Sequence, residues 1–300
     1  MRARYPAAEP YAADSVSEER KRIVARIIRA TAWQRLRGGG ALYRIPVFHP
    51  RVGRRDGFRI LHVSDLHLRG KGGRKLAAAE KLLQGERLDI VLITGDIVDS
   101  NEIHLSTQER AFLRGLTANH GKYFVLGNHD RYGRRLPALL RTLRELGFRD
   151  LTNSSLSITH GGRISVVGLD EPEYGKVDAA AAFRGVQKED FVIVATHNLD
   201  ALTAETPSDI DLVLWGHLHA GEFSLGGYDG VAWLERRGLF RNLNHHRGVR
   251  EQWRFLTERT LSYANPGFHS RIRQAYHLPR LNTHREGIAI LTLRRPPKNL

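Results

Sequence analysis

Cysteine is absent from the 300 residues, and methionine occurs once. Without thiols there is no disulfide scaffold, no zinc held by thiolates, no iron–sulfur cluster and no cysteine nucleophile. Acid is scarce relative to base: 47 Lys+Arg stand against 32 Asp+Glu, a net charge of +15. Such a field favours anionic partners, whether phosphate esters, nucleic acid or an acidic membrane surface, and does not choose among them. A plain solubility effect is the alternative. No window reaches the ~18 apolar residues that span a bilayer. Arg2 and Arg4 have no apolar core behind them, so a secretory signal is not expected. The expectation is a cytoplasmic protein, at most peripheral at the inner face of the membrane. Internal repeats and low-complexity tracts are also missing. What is present is ordinary for a globular chain, with 41% hydrophobic and 26% charged residues, which excludes collagen-like and wholly disordered classes. The length allows one large domain or two at roughly 150 residues each.

Residues 1–16 read as irregular. Ser15 with Glu18 resembles a capping box, and Ser17 to Arg37 then reads as a helix. Ile23, Ile27 and Ala30 form one stripe, with Val24, Ile28 and Trp33 beside it. Lys21, Arg22, Arg26, Arg29, Arg35 and Arg37 crowd the remainder, and Gly38-Gly39-Gly40 ends it. Two readings stand: a basic helix lying in an anionic membrane interface through residues 17–37, or a helix packed on the main domain. Residues 41–57, with Pro46, Pro50 and Gly53, read as a connector. The division expected is therefore a basic N-terminal segment, 1–50, and a domain, 51–300.

From Phe58 the chain alternates. Phe58–Val63, Leu88–Ile93 and Lys122–Leu126 read as strands, and Lys75–Gln84, Thr107–Leu116 and Leu136–Leu146 as helices. This rhythm indicates α/β architecture with parallel pairings. Ser155–Thr159 and Arg163–Gly168 flank a Gly-rich hairpin turn. Phe191–Ala195 and Leu212–Trp215 are further apolar strands. Glu222–Thr260 is irregular, with a basic centre at Arg236–Arg250, and Leu261–Ala264 and Gly287–Leu293 close the fold.

Nearly every strong strand ends in a metal-binding side chain. The first runs into Ser64-Asp65-Leu66-His67, where positions i and i+2 point the same way. The second ends in Gly95-Asp96, with Asp99 three residues on. The third ends in Gly127-Asn128-His129-Asp130. Then follow Thr196-His197-Asn198 and Gly216-His217-Leu218-His219. Singly, each motif has an ordinary reading as a turn or a structural histidine; five in one order, each after a strand, do not. Carboxyl ends of strands are where α/β folds place their sites. The Asp, His and Asn set suits Mn²⁺, Fe or Zn²⁺. It offers too many candidates for one ion, and a carboxylate such as Asp96 could bridge two.

In this order, the motifs resemble those of the calcineurin-like metallophosphoesterase superfamily, over roughly Phe58 to Leu293. The resemblance implies two packed mixed β-sheets flanked by helices, an αββα sandwich, and a dinuclear metal-dependent phosphoester hydrolase. It implies two divalent ions, Mn²⁺ first, with Fe or Zn²⁺ as alternatives. Asp65, His67 and His219 would bind one ion, Asn128, His197 and His217 the other, and Asp96 would bridge them. His129 would be an outer-sphere histidine near the leaving group, donating a proton or stabilising the phosphoryl oxygens, with Asp130 or Asp99 orienting it. Either aspartate has a plain alternative as a helix cap. The one departure is Ala220-Gly221-Glu222-Phe223, where many relatives carry a Gly-rich turn, and it leaves specificity open.

Three features bear on the phosphate-ester substrate. The loop Arg69-Gly70-Lys71-Gly72-Gly73-Arg74 suits a second phosphate through Arg69, Lys71 and Arg74. Arg131 follows the third motif and is a further phosphate candidate. The basic stretch 236–250 reads as a lid or a solvated insertion. The function expected is a phosphodiesterase or pyrophosphatase, acting on a phosphorylated or nucleotide-diphosphate lipid at a membrane surface. Alternatives are a soluble cyclic-nucleotide or nucleic-acid phosphodiesterase, although no nucleic-acid recognition motif is present, and a non-catalytic interaction module on the same fold.

Overall fold

Runs such as Ile-Val-Leu-Ile and Phe-Val-Ile-Val are too short for a stable helix and rich in β-branched residues, so they form buried strands. The computed structural model describes residues 16–99, 105–131, 135–217, 224–225, 228–229, 253–269 and 286–297. His219 and the stretch 236–250 lie outside the described residues. In chain order the first half holds α1 (Glu18–Ala30), β1 (Ala32–Arg35), β2 (Ala41–Phe48), β3 (Arg59–Val63), α2 (Arg74–Leu83), β4 (Ile90–Thr94), α3 (Thr107–Gly115), β5 (Lys122–Val125), α4 (Asn128–Arg131), α5 (Leu136–Glu145) and β6 (Phe148–Asp150). The second half holds β7 (Ser154–Thr159), β8 (Arg163–Gly168), α6 (Ala179–Ala182), β9 (Phe191–Ala195), β10 (Leu212–Trp215), β11 (Ser224–Leu225), β12 (Tyr228–Asp229), β13 (Trp253–Phe255), β14 (Leu261–Ala264) and β15 (Gly287–Arg294).

Two mixed sheets result. One has seven strands in the order β1-β2-β15-β3-β4-β5-β6, the other six in the order β13-β14-β10-β9-β8-β7. β3, β4, β5 and β6 run parallel, as do β14, β10, β9 and β8. The alternation of side chains along each strand builds three apolar layers. Ile60, Ile90, Leu92 and Val125 face Ile193, Leu212, Leu214 and Tyr263 between the sheets. Leu61, Val63, Val91 and Ile93 turn outward onto Leu76, Phe112, Leu113, Leu139 and Leu143 of α2, α3 and α5. Val192, Val194 and Val213 turn outward on the second sheet, onto Ala182 and Ala201. The expected αββα arrangement is what forms, and the carboxyl ends of β3, β4, β5, β9 and β10 meet along one rim.

The N-terminal segment departs from its expectation. The helix stops at Ala30, not Arg37: Thr31 is extended and its hydroxyl donates to the Ile27 carbonyl at 2.8 Å. The chain then folds back through Gly38, Gly39 and Gly40, with φ of 92°, 104° and 86°, and residues 32–35 pair antiparallel with 41–44. The supposed connector is in fact β2, which pairs in parallel with β15 over eight residues. Pro46, which cannot donate to a ladder, sits beyond the reach of β1, where β2 needs no N–H on that side. Ile23 and Ile27 are buried in the layer between the sheets. The Ser17 backbone N–H and hydroxyl both donate to Glu258, and Arg20 Nε donates to the Glu258 carbonyl at 2.7 Å. Residues 18–48 therefore belong to the same body as the rest, and a boundary at residue 50 cuts between strands of one sheet.

Candidate metal centre

Past the end of β3 and β4 the chains keep pairing. Asp65 N–H donates to the Gly95 carbonyl at 3.1 Å, His67 to Asp96 at 2.9 Å and Leu68 to Ile97 at 3.0 Å. This crossed pairing requires left-handed backbone at non-glycine residues. Five described non-glycine residues have positive φ, and four of them are Asp65, His67, Asp96 and His217. Strain of about 1–3 kcal/mol per residue persists only where the surroundings enforce it. Gly127 and Gly216 make the nesting achievable. A Cβ at Gly127 would overlap Asp96, and one at Gly216 would overlap Ser64 Oγ and Asp65 Oδ2.

Asp96 is the hub. It is 2% exposed, and its Oδ1 accepts the His129 backbone N–H at 2.9 Å. Its Oδ2 lies 3.4 Å from His197 Nε2, 3.6 Å from His67 Nε2 and 4.0 Å from His129 Nε2. Two groups of donors form around it, His67–Asp96–His129 and Asp65–Asp96–His197, with the donor atoms in each within 4.8 Å of one another. His197 donates from Nδ1 to the Thr94 carbonyl at 2.8 Å, which turns Nε2 toward the cluster. That Nε2 is 3.0 Å from Asn128 Oδ1 and 3.1 Å from His217 Nδ1. The His217 backbone N–H donates to Asp65 Oδ2 at 3.1 Å. Asp99 Oδ1 sits between two rings, 3.2 Å from His67 Nδ1 and 3.4 Å from His129 Nδ1, and its Oδ2 pairs with Arg69.

Burial alone would raise the Asp96 carboxyl, but His197, His67 and His129 outweigh it and hold Asp96 well below the usual carboxylate range. Asp99 is likewise low against burial, through its bonds to His129 and His67 and the charge of Arg69. For His197, burial opposes charge and Asp96 restores it, so the ring stands well above its ordinary value. The cluster has the chemistry of a cation site: anionic oxygens and imidazole nitrogens converge with water excluded.

The structure thus gathers Asp65, His67, Asp96, Asn128, His129, His197 and His217. The grouping differs from the expectation in placing a His129 nitrogen with His67, and Asp65 with His197. Asp130 does not orient His129. Its Oδ1 accepts the Ile97 and Val98 amides at 2.9 and 3.1 Å and its Oδ2 the Gly127 amide at 3.0 Å, so it staples two ligand loops together. Asp99 is the carboxylate on the His129 ring. Arg131, the further phosphate candidate, engages Asp170 through Nε and Nη2 at 2.8 and 2.6 Å. Lys71 and Arg74 are exposed, on a loop held to α3 by Gln108 through both polar atoms of Gly73.

Sequence reasoning missed the support beneath Asp65. Phe268 N–H donates to the Ser64 and Asp65 carbonyls, and His269 N–H to Asp65 at 3.1 Å. His269 Nδ1 donates to the Leu66 carbonyl at 2.6 Å. The signal was there: Asn265-Pro266-Gly267 follows β14 as the other motifs follow their strands. Asp170, the partner of Arg131, carried no such signal.

The calcineurin-like phosphoesterase family model matches residues 58–221. An uncharacterized metallophosphoesterase of Bacillus subtilis is 29% identical over 180 residues, which is 59% of this chain and 63% of the relative. A transmembrane protein with metallophosphoesterase domain from Danio rerio is 30% identical over 182 residues, 56% of this chain and 41% of that one. An uncharacterized metallophosphoesterase of Aquifex aeolicus is 30% identical over 178 residues, 57% of this chain and 66% of the relative. The match spans less than two thirds of each of these relatives. Among solved structures, a dimetal phosphatase from Danio rerio has a TM-score of 0.45 at 13% identity, covering 79% of this chain and 93% of that one. The phosphopantetheinyl hydrolase of Mycobacterium tuberculosis has a TM-score of 0.40 at 15% identity, covering 82% and 99%.

Proposed function

The chain belongs to the calcineurin-like phosphoesterase family, and from that premise we propose that it is a dinuclear metal-dependent phosphoester hydrolase. The observation that carries this reading is the pair of buried donor groups sharing Asp96. Following the family resemblance, we assign Asp65 and His67, with His219, to one cation, Asn128, His197 and His217 to the other, and Asp96 to both; the donor groups that support two cations are His67–Asp96–His129 and Asp65–Asp96–His197. His67 is oriented as a ligating imidazole would be, one nitrogen toward the cluster and the other on the Asp99 carboxylate. His197 shows it with the Thr94 carbonyl. When bound, two divalent ions would lower the pKa of a water and offset charge that builds on the phosphoryl oxygens; Mn²⁺ is the first choice, with Fe and Zn²⁺ as alternatives.

The chain's own residues do the rest. Asp99 holds the His129 ring with Nδ1 toward itself, so Nε2 is the atom that delivers a proton to the leaving group or donates to a phosphoryl oxygen. Arg69, anchored on Asp99 beside the donor cluster and one-third exposed at its side chain, is the cation we assign to a bound ester. Lys71 and Arg74 extend that positive surface. The test is Mn²⁺ titration of metal-free protein alongside hydrolysis of bis(p-nitrophenyl) phosphate, for the wild type and His217→Ala. Expected is metal-dependent hydrolysis that His217→Ala abolishes; near-native turnover in that variant refutes the assignment.

A second observation favours a lipid-borne substrate. The apolar stripe of α1 is spent on the core, yet Ile28 and Trp33 are 53% and 51% exposed. No acidic residue occurs between Glu19 and Asp56. An exposed Trp in an acid-free, arginine-rich segment suits an anionic bilayer surface. No described helix is long and apolar enough to cross a membrane. Truncation near Arg51 would remove β2 from the sheet, so point variants are the usable test. Trp33→Ser with Ile28→Ser should lose sedimentation with phosphatidylserine vesicles while hydrolysing soluble diesters as before. Equal sedimentation of both proteins returns the reading to a soluble nucleotide or nucleic-acid phosphodiesterase.

A further inference from the structure

The donors of the metal centre come from two sheets: Asp65, His67, Asp96 and Asn128 follow strands of the first, His197 and His217 strands of the second. Some contacts that join the two sides run through the donors themselves, and others through backbone, as from the Phe268 amide to the Ser64 carbonyl. An ion pair between side chains outside the donor set joins them too. Arg131, the last residue of α4 and three positions past Asn128, forks onto Asp170, which follows β8 of the second sheet. The two side chains are 20% and 4% exposed. Asp170 is saturated: it also accepts the Glu171 amide at 2.8 Å and the Lys176 amide at 2.9 Å. Glu171, fully buried, closes the same turn by accepting the Glu173 and Tyr174 amides at 2.9 and 2.6 Å.

The backbone strain points to the same turn. Of the five described non-glycine residues at positive φ, the one outside the donor set is Asn153. Its Oδ1 accepts the amides of Asp170 and Asp178 at 3.2 and 3.1 Å, and its Nδ2 donates to the Lys176 carbonyl at 2.6 Å. All five strained residues therefore serve either the donors or the turn that carries Asp170. From β8, this turn meets the Asn128–Arg131 segment beside β9 and His197.

We infer that Asp170 is a positioning residue of the metal centre: acting through Arg131, it braces the Asn128–His129 segment against the second sheet before metal arrives. A bidentate guanidinium–carboxylate pair fixes direction as well as distance, which a lysine in place of Arg131 cannot do. The brace sets the separation of Asn128 Oδ1 and His197 Nε2, so its loss spreads the donors of one ion and spares those of the other. This rests on the dinuclear reading above.

The experiment is Mn²⁺ binding to metal-free full-length protein by calorimetry, for the wild type, Asp170→Asn, Arg131→Lys and the double variant, with steady-state kinetics on bis(p-nitrophenyl) phosphate. The expected result is about 10- to 100-fold weaker binding at one of two Mn²⁺ sites in each single variant, the range for supporting residues of metal ligands. The double variant should be no worse than either, because one pair is broken only once. Two results overturn the brace. One is a raised KM with native Mn²⁺ binding in Arg131→Lys, beside native behaviour in Asp170→Asn, which makes Arg131 a phosphate ligand. The other is additive losses. Should Asp170→Asn fail to fold, Arg131→Lys and Asn153→Gly, which keeps the backbone and removes the amide, decide by the same titration. A wild type that binds no Mn²⁺ removes the dinuclear reading and the brace with it; a wild type that binds two ions beside unaffected variants removes the brace alone.

Discussion

Acid should unlatch the N-terminal part of this fold through His49. The residue follows β2, is 2% exposed and stands edge-on to Phe191 with ring centroids 5.3 Å apart. Its Nε2 donates to the Arg259 carbonyl at 2.8 Å, and its Nδ1 accepts the Arg51 amide at 3.2 Å. That pair of bonds demands the neutral ring: a proton on Nδ1 would face an N–H. Burial, with help from the charges of Arg20 and Arg51, lowers its pKa from an ordinary 6.5 to about 3. The unfolded chain therefore takes up a proton near pH 6.5 that the folded chain refuses until about pH 3. Stability from this residue is whole above pH 6.5 and is lost as pH falls through that window. At about 1.36 kcal/mol per pKa unit, going to pH 4.5 costs about 2.7 kcal/mol from His49 alone. The assay is urea unfolding of the wild type and His49→Asn at pH 7.5 and 4.5. Asn keeps an acceptor for the Arg51 amide and cannot titrate. The difference in unfolding free energy between the two pH values should shrink by about 2.7 kcal/mol in the variant. It should not vanish, because buried His62 is also lowered to about 3. An unchanged difference would refute the linkage.

Three further outcomes follow from the site. Asp96→Asn removes the one carboxylate common to both donor groups, so calorimetry should show neither Mn²⁺ ion bound, where loss of either terminal donor weakens one. His129→Ala should lower turnover of a diester by about 10²–10⁴ with both ions retained; a metal-depleted protein by elemental analysis would make His129 a ligand instead. Gly216→Ala places a Cβ into Ser64 and Asp65 and should weaken Mn²⁺ binding while circular dichroism stays native, since the overlap is confined to the donor loop.

The centre of the fold was legible because it is local. β3, β4, β5, β9, β10 and β14 are apolar runs bounded by polar turns, and each formed within two residues of its expected limits. The edges were not, because their pairing is remote in sequence. β2 meets β15 across more than two hundred residues, and nothing in Ala41–Phe48 announces that partner; Pro46 argued against a strand. The helix expected to run to Arg37 carried charge of the right spacing throughout. Its end was decided by Thr31, whose hydroxyl takes a helix carbonyl, and by three glycines that let the chain turn back into β1. Spacing shows that a stripe is apolar without showing what covers it, so the docking of Ile23 and Ile27 between the sheets was open from sequence and closed by the contacts around Glu258.

The site divides along the same line. A ligand can be read when its chemistry and its strand travel together in four or five residues, as in Asp65–His67 and Gly127–His129. A supporting residue cannot, because its identity depends on what lies opposite. Asp99 and Asp130 are both aspartates a few residues past a strand, and sequence gave them equal claim to His129. Opposite Asp99 the fold places two imidazoles and Arg69; opposite Asp130 it places three amides. Arg131 shows the same ambiguity for a cation: beside a phosphate it is a binding residue, beside Asp170 a strut. The backbone resolves what side-chain chemistry leaves open. Strain is tolerated only where many contacts over-determine it, and here it falls on four donors and on the asparagine that holds the strut's anchor. The placement of left-handed residues therefore marks the extent of the functional unit more fully than the donor motifs do, since it takes in Asn153 beside the four donors.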